Sequence, residues 1–420
     1  MLEHVVIVTD GLTIDGGSSK VALTSAMALA QSGLRVTVFA ASGKPGADLA
    51  ACKNLHIVST NQGDTLGSAN RPAGALRGLW NRTAKVRMRE LLATLDPQRT
   101  VVHAHGWTKA LSSSVLAAVV QAKFPVVVTA HEYFTVCPTG CLYLHRERAI
   151  CTLRPMSLAC IVKDCDSRSY AVKAYRIVRQ LIARHAGGIP RALRHFISVS
   201  VFSRRVLEPL LPVVPGGYAF HPIDNPVDVP RLARTPAERN TGFVFVGRLS
   251  PEKGGLLLAE AAKRAGVRVT FVGDGPERDA IEHANPDATI TGWLDRDGVG
   301  EYVRAARAVV VPSLWYETLG LVVLEAAAAG TPAIVPRETA PGDLVRSGET
   351  GLTFARGDVS DLAAKLQAMC DDATVERMSR AAYAAFWIAP PTMHAHVAQL
   401  LAAYDDVLGT PSRIEHARSA

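Results

Sequence analysis

Two carboxylates, Glu317 and Glu325, stand eight residues apart in WYETLGLVVLEAAAAG, a stretch that carries no other charge. An ionised carboxylate set among Leu321, Val322, Val323, Leu324 and Ala326 to Ala329 loses its hydration and needs a compensating partner. A ligand bearing hydroxyl groups supplies one, and so does a satisfied core contact; the segment by itself allows both. The pattern predicts a helix that starts near Leu319 or Gly320 and stops at Gly330, a residue suited to the left-handed C′ position, with Pro332 preventing continuation. Glu317 then precedes the helix, beside the N–H groups and the dipole end that favour a phosphate. Phosphate and sugar hydroxyls can thus be held at one place.

A second pair of charges sits in GFVFVG followed by RLSPEKGG. Ser250 is placed as an N-cap and Pro251 as the first helical residue, so Arg248 and Lys253 flank a helix start. A guanidinium grips a diphosphate through two parallel bonds and an ammonium adds a point charge; together they neutralise a departing diphosphate, whereas plain surface exposure asks nothing of them. Near the amino terminus, DGLTIDGGSSK places Gly16 and Gly17 before a helix expected over about 18–32 and ended by Gly33. Paired glycines let backbone N–H groups approach an oxyanion, although an ordinary strand-to-helix turn uses them equally. VGDGPE at 272–277 reads as a tight strand-end turn.

These loops need strands to carry them. Val- and Ile-rich runs (HVVIVT, RVTVFA, TVVHAHG, FPVVVTAHE, HFISVS) alternate with helix-like segments, and after an irregular stretch the alternation resumes with GFVFVG, VRVTFVGDG, ARAVVVPS and TPAIVP. Continuous apolar strands of this kind belong to parallel sheets covered on both faces. The expectation is an α/β chain of two doubly wound, Rossmann-like domains facing across a cleft: residues 1–224, residues 225–388, and a crossover helix and tail at 389–420 that returns to the first domain. The boundary is set at NPVD, before the polar, Pro-punctuated PRLARTPAERNTG. Ligands of open α/β sheets bind at the carboxyl ends of strands, where all the loops above lie.

Composition agrees with a chain of 420 residues that has material for more than one core: 48% hydrophobic and 20% charged residues and a mean hydropathy of +0.13. The amino terminus runs into a strand pattern without a leader-like region, and the longest apolar stretch is broken by Glu325, Gly330 and Pro332, so a cytoplasmic protein is expected. A net charge of +8 favours an anionic partner. Arg77, Arg82, Lys85, Arg87 and Arg89 surround Leu79, Trp80, Val86 and Met88, and Lys173, Arg176, Arg179 and Arg184 accompany Ile177, Val178, Leu181 and Ile182. Both read either as solvated amphipathic helices or as interfacial helices resting on an anionic bilayer, which would make the protein peripheral on the inner membrane face. No nucleic-acid motif accompanies the charge. The G-x-G-x-x-G fingerprint of a dehydrogenase is absent. The D-x-D triplets at Asp164–Asp166 and Asp295–Asp297 do not follow strands as a metal-dependent transferase requires.

The order GRLSPEKG, VGDGP, TGWL, VPSLWYETLGLVVLEAAAAGTPAI and SGETGL resembles the GT-B retaining glycosyltransferases of family four, with Glu317-x7-Glu325 the most specific element. Looser first-domain likenesses are GG at 16–17, HAHG at 103–106, TAHE at 129–132 and NPVD in place of NGVD. Where the family often shows GG-x-x-E this chain has APGDLV, with Asp343 standing near the glutamate's place. The resemblance implies a nucleotide-diphosphate sugar donor held by Gly16, Gly17, Gly247, Arg248, Lys253, Trp293, Leu294, Glu317, Thr318, Leu319, Gly320 and Glu325. Arg248 and Lys253 would take the diphosphate, Glu325 the ribose, Glu317 a sugar hydroxyl, and the backbone around Gly292 to Leu294 the base. It implies catalysis by Glu317, His131, Arg248 and Lys253 without a required cofactor, and a glycan or lipid-linked glycan as acceptor. A nucleotide-sugar epimerase of the same fold, and a silent nucleotide-sugar-binding scaffold, are the competing readings.

Five of seven cysteines, Cys137, Cys141, Cys151, Cys160 and Cys165, fall in one insert at 137–165. Structural disulfides are disfavoured in a reducing compartment, which leaves a structural zinc site with His145 as an additional ligand, an iron–sulfur cluster, or free and redox-active thiols. Because the insert follows TAHE, it is expected to overhang the acceptor side.

Overall fold

The computed structural model describes residues 1–14, 16–63 and 71–409. The expected tail beyond the last helix, 410–420, lies outside the described residues. Strands β1 (His4–Gly11), β2 (Arg35–Ser42), β3 (Leu55–Ser59), β4 (Thr100–Ala104) and β5 (Val126–Thr129) are followed by a small hairpin, β6 (Tyr143–Leu144) with β7 (Ala149–Ile150). Then come β8 (His195–Ser198) and β9 (Ala219–Pro222). The first sheet has the order β3-β2-β1-β4-β5-β8-β9 and is parallel throughout. A second parallel sheet, β12-β11-β10-β13-β14-β15, is built from β10 (Phe243–Val246), β11 (Val269–Val272), β12 (Thr289–Gly292), β13 (Ala308–Val310), β14 (Ala333–Pro336) and β15 (Gly351–Phe354).

The apolar runs are explained by burial on both faces. In β1, Val6 and Val8 enter one core with Val102, Val126 and Val128, while Val5 and Ile7 enter the core on the opposite face with Val36, Val101 and Val127. Alternate residues serve opposite layers, as the two-residue period of a strand requires. The last helix, Met393–Val407, places Val397, Leu400, Ala403 and Tyr404 in the layer that holds Ala22, Leu23, Ala26 and Leu29 of the helix Gly17–Gln31. It therefore closes the first domain although it follows the second in sequence. The architecture is the two-domain, doubly wound one expected.

Both sheets reverse their strand order once: between β1 and β4 in the first, between β10 and β13 in the second. Loops diverge there and leave a crevice at the strand carboxyl ends, the place where ligands of open α/β sheets bind. Gly16, Gly17 and residues 105–109 belong to the first crevice; Arg248, Lys253 and the loop 311–320 belong to the second.

Candidate active site

The helix Leu321–Ala329 starts one residue later than the pattern suggests, with Gly320 at its N-cap (φ 142°) and Gly330 at its C-cap (φ 81°). Gly320 is required for close approach as well as for its positive φ, since a Cβ would run into the Pro341 ring at 2.8 Å. Among the described residues no N-cap side chain bonds to this helix and no acid sits in its first turn; the same holds for Gly17–Gln31 in the other domain. The two starts meet: a Cβ on Gly17 would lie 3.7 Å from Leu321 Cδ1. Two positive helix ends brought together suit an anion.

Glu317 is buried just before the second of these ends. Its Oε1 pairs with Lys253 Nζ, accepts from Ser313 Oγ at 3.0 Å, and lies 3.4 Å from the Trp315 Nε1 donor; the Lys253 ammonium also sits 5.2 Å over the Trp315 ring. Lys253 reaches this position through a detail the sequence pattern did not give. Pro251–Lys253 is a separate 3-10 turn, and the α-helix begins only at Gly255, after Gly254 at φ 72°. Ser250 occupies the cap position, but its hydroxyl donates to Glu252 at 2.7 Å instead of capping. Arg248 is exposed at the mouth of the same loop and makes no ion pair among the described residues. The VGDGPE turn braces that loop: Leu249 N donates to Asp274 O and Glu277 N to Leu249 O, each at 3.0 Å.

Glu325 faces Lys20 of the first domain at 4.0 Å. Burial pushes its carboxyl up, opposed by Lys20 and Arg296. Thr318 ties the domains together: its hydroxyl donates to His131 O at 2.9 Å, and its carbonyl accepts from Ser200 Oγ at 2.7 Å. Leu319 is buried beside it. Trp293 and Leu294, after β12, are exposed, outside the hydrogen-bond network of Glu317. Asp343 accepts from Arg205 at 3.0 Å, a further cross-domain pair. Both D-x-D triplets are structural: Asp164 pairs with Arg146 at 2.6 Å, Asp166 with Arg176 at 3.1 Å, and Asp295 caps the helix Arg296–Ala305.

His131 belongs to a stack. Its Nε2 lies 3.0 Å from His105 Nδ1, and His105 packs on His103 with ring centroids 4.1 Å apart. His103 uses both ring nitrogens, toward Tyr404 Oη and Thr129 Oγ1, each at 2.6 Å. Burial holds His131 down to about 4 and depresses His103 and His105 well below the ordinary imidazole range. The folded protein therefore keeps these rings neutral while the unfolded chain takes up protons below about pH 6.5. Their contribution to stability is present above that pH and is lost as pH falls toward 4. Denaturant midpoints should drop through this window, and His105→Asn should make the drop shallower by about one proton. An unchanged slope in the variant would contradict the neutral stack.

Asp10 and Lys109, not singled out from sequence, complete the first-domain cavity, which Glu132, His105 and His131 also line. Asp10 accepts from the N–H groups of Lys109, Ala110 and Leu111 at 3.0, 2.8 and 3.0 Å, and burial pushes its carboxyl up against those donors. Glu132 is open to solvent yet enclosed by the cleft walls, and desolvation raises it too. Charged residues directly at the carboxyl ends of β1 and β5 were the available signal.

The cysteine insert is placed differently from expectation. It does not simply overhang the acceptor side: Tyr143 enters the core of the second domain with Leu249 and Leu257, Arg148 pairs with Glu277 at 2.7 Å, and His145 Nδ1 lies 3.9 Å from Glu252. His145 thus faces the loop carrying Lys253. Among the described residues, three ligand atoms already within 4.8 Å of one another belong to His195, His221 and Asp406; no three cysteine sulfurs are that close. The basic helix Tyr170–His185 is likewise corrected as an interfacial element. Lys173 is buried, Arg176 pairs with Asp166, and Arg179 donates to the carbonyls of Thr108 and Pro138 at 3.0 and 3.2 Å.

Comparison with known proteins agrees with this geometry. A model described as Glycosyltransferase Family 4 matches residues 15–231, and one described as Glycosyl transferases group 1 matches residues 240–372. The chain belongs to the glycosyltransferase family that these models describe. A GDP-mannose-dependent alpha-mannosyltransferase of Corynebacterium glutamicum is 33% identical over 196 residues, 46% of each chain. A glycogen synthase of Mycobacterium tuberculosis is 37% identical over 183 residues, 40% of this chain and 44% of its own. The chain thus spans less than half the length of the curated relatives it matches. Anabaena HepE, crystallised with UDP and glucose, superposes with a TM-score of 0.63 over 96% of this glycosyltransferase-family chain and all of its own, at 16% identity, a likeness of fold.

Proposed function

We propose that this chain is a retaining glycosyltransferase that moves a hexose-type sugar from a nucleotide-diphosphate sugar to a growing, lipid-linked glycan at the inner face of the cytoplasmic membrane. The observation that carries the reading is the meeting of two helix ends at the cleft, with Lys253 paired to Glu317 beside them and Arg248 exposed at the rim. The donor diphosphate takes the backbone N–H groups of Gly17 and of residues 318–320, with Arg248 and Lys253 as countercharges. Glu325 takes the ribose hydroxyls, which compensates a carboxylate that burial otherwise disfavours. Glu317 receives a sugar hydroxyl, and the base lies toward Trp293 and Leu294.

In the reaction the bond from the anomeric carbon to the diphosphate oxygen breaks, a bond to the acceptor oxygen forms on the same face, and the acceptor proton passes to the leaving diphosphate. Cations and helix dipoles act where negative charge develops, and closure of the domains excludes water. The acceptor approaches through the cavity of Asp10, Lys109, Glu132 and His131. That first-domain cavity, beside the donor site, supports transfer over epimerisation, which needs no acceptor. Chemistry of this kind requires no metal ion at the reacting atoms.

The relatives and neighbours carry both GDP and UDP in their names, so the test is a panel of UDP-, GDP-, ADP- and TDP-sugars with release of nucleoside diphosphate as readout. Release from one donor supports the transferase; conversion of donor to its isomer would establish the epimerase, and tight binding without release with every acceptor extract would leave a scaffold.

No described helix is long and apolar enough to cross a membrane. Contact with an anionic bilayer is assigned to the helix Arg82–Leu92, where Arg82, Arg87 and Arg89 are exposed around Val86, near Lys85 stacked over Trp80 at 5.0 Å and the exposed Leu76. The protein should float with anionic liposomes at low salt and sink with neutral ones. Arg82→Glu with Arg87→Glu should abolish flotation, and failure of the unaltered protein to float would end the membrane assignment.

A further inference from the structure

We propose that the insert is a zinc module with four thiolate ligands, Cys137, Cys151, Cys160 and Cys165, and that Cys141 and His145 lie outside it. Those four cysteines line one small pocket, together with Leu142, Tyr143, Leu153 and Lys173; no carboxylate lines it. Lys173 decides the matter. Its side chain is fully buried, and its ammonium donates to the carbonyl oxygens of Cys160 and Lys163. A buried ammonium with only neutral partners is costly and calls for an anion nearby. Apart from the Tyr143 phenol, the groups in this pocket able to become anionic are the four thiols, and a free thiol is largely neutral at pH 7.

Zinc resolves both problems at once. A coordinated thiol is deprotonated outright, and four thiolates on one divalent cation leave a net charge of minus two, which the Lys173 ammonium partly offsets. The lysine then serves as the outer partner that sets charge and orients the short helix Leu158–Val162 carrying Cys160 and the segment carrying Cys165. The ligand atoms of such a site stand about 3.8 Å apart, following from Zn–S bonds of about 2.3 Å in a tetrahedron. No three of these sulfurs lie within 4.8 Å of one another here, so metal binding draws the surrounding segments inward. Cys141 is distinct: its thiol donates to Thr139 O at 3.5 Å and it packs against the core of the second domain.

The module has a place in the architecture. Cys137 and Cys151 flank the hairpin β6–β7, whose Tyr143, His145 and Arg148 reach Leu249, Glu252 and Glu277 around the Lys253 turn. Zinc fixes both ends of this arm and so fixes the contact between the first domain and the donor loop.

The full chain, expressed with zinc supplied and freed of loosely bound metal, should contain about one zinc per molecule. Cys151→Ser and Cys165→Ser should each lose it, while Cys141→Ser and Cys370→Ser should keep it. Should a ligand variant fail to fold, cobalt substitution of the unaltered protein keeps the question answerable, by the thiolate-to-cobalt absorption and the visible bands of a tetrahedral site. Zinc well below one per chain, equal loss in Cys141→Ser, a cobalt spectrum without four thiolates, or stoichiometric iron with sulfide would each overturn the assignment.

Discussion

Replacing Glu317 by Gln should lower nucleoside diphosphate release by about a hundredfold or more while the protein still folds. Three groups converge on Glu317 Oε1: the Lys253 ammonium, the Ser313 hydroxyl and, more distantly, the Trp315 N–H. The amide keeps the shape and can still accept from Ser313, so the buried hydroxyl stays satisfied and the stability cost is modest. What disappears is the charge that fixes Lys253 at the helix end, and with it the position of the cation that meets the leaving diphosphate. Loss of one preorganised charge-stabilising group at a reacting centre typically costs about 10²–10³ in turnover. The effect should fall on kcat with a smaller rise in KM, because the interaction matters most when the diphosphate departs. An undiminished kcat in the Glu317→Gln variant would remove Glu317 and the Lys253 pair from the mechanism.

The second large effect is expected from Gly273→Ala, a residue with no proposed ligand contact. Gly273 follows β11 with φ 145°, and a Cβ there would overlap the Gly247 carbonyl oxygen. Gly275 is placed the same way against Leu249, so the two glycines let the VGDG turn lie directly under the loop that carries Arg248. Both the backbone conformation and the space exclude a methyl group, and nothing at fault is a flexible side-chain end that can swing aside. The cost should be about 3 kcal/mol or more, a fall in melting temperature of roughly 6–12 °C for a domain of this size. Nucleoside diphosphate affinity should weaken about tenfold or more as Arg248 and Lys253 move with the displaced loop. A Gly273→Ala protein that melts and binds nucleotide like the unaltered chain would show that this loop is not held from below.

Much of this architecture was legible in the sequence, because its signals are local. The Val- and Ile-rich runs are buried on both faces of parallel sheets, and the helix around Glu325 is bounded by Gly320 and Gly330 almost where composition placed it. The Glu317–Lys253 pairing joins two motifs that sequence had marked separately. Other features depend on partners distant along the chain. Lys173, Arg176 and Arg179 recur at helical spacing and read as a basic face. They turn inward because the carbonyls of residues 108, 138, 160 and 163 and the carboxylate of Asp166 are waiting there. Nothing in the helix itself announces those acceptors. The same holds for Lys20 opposite Glu325, which no spacing within either domain could pair, and for the insert, whose arm crosses to the donor loop through Tyr143 and Arg148. Ser250 shows the limit of motif reading at short range: its position is that of a cap, yet Glu252 takes its hydroxyl.

The donor diphosphate is assigned to the place where the two helix starts meet, and a crystal structure with the nucleoside diphosphate selected by the donor panel tests this most directly. The phosphates should lie within hydrogen-bond distance of Arg248, Lys253 and the backbone N–H groups of residues 318–320, with the ribose on Glu325. A diphosphate seated instead in the first-domain cavity, on Lys109 beside Asp10 and Glu132, would contradict the assignment.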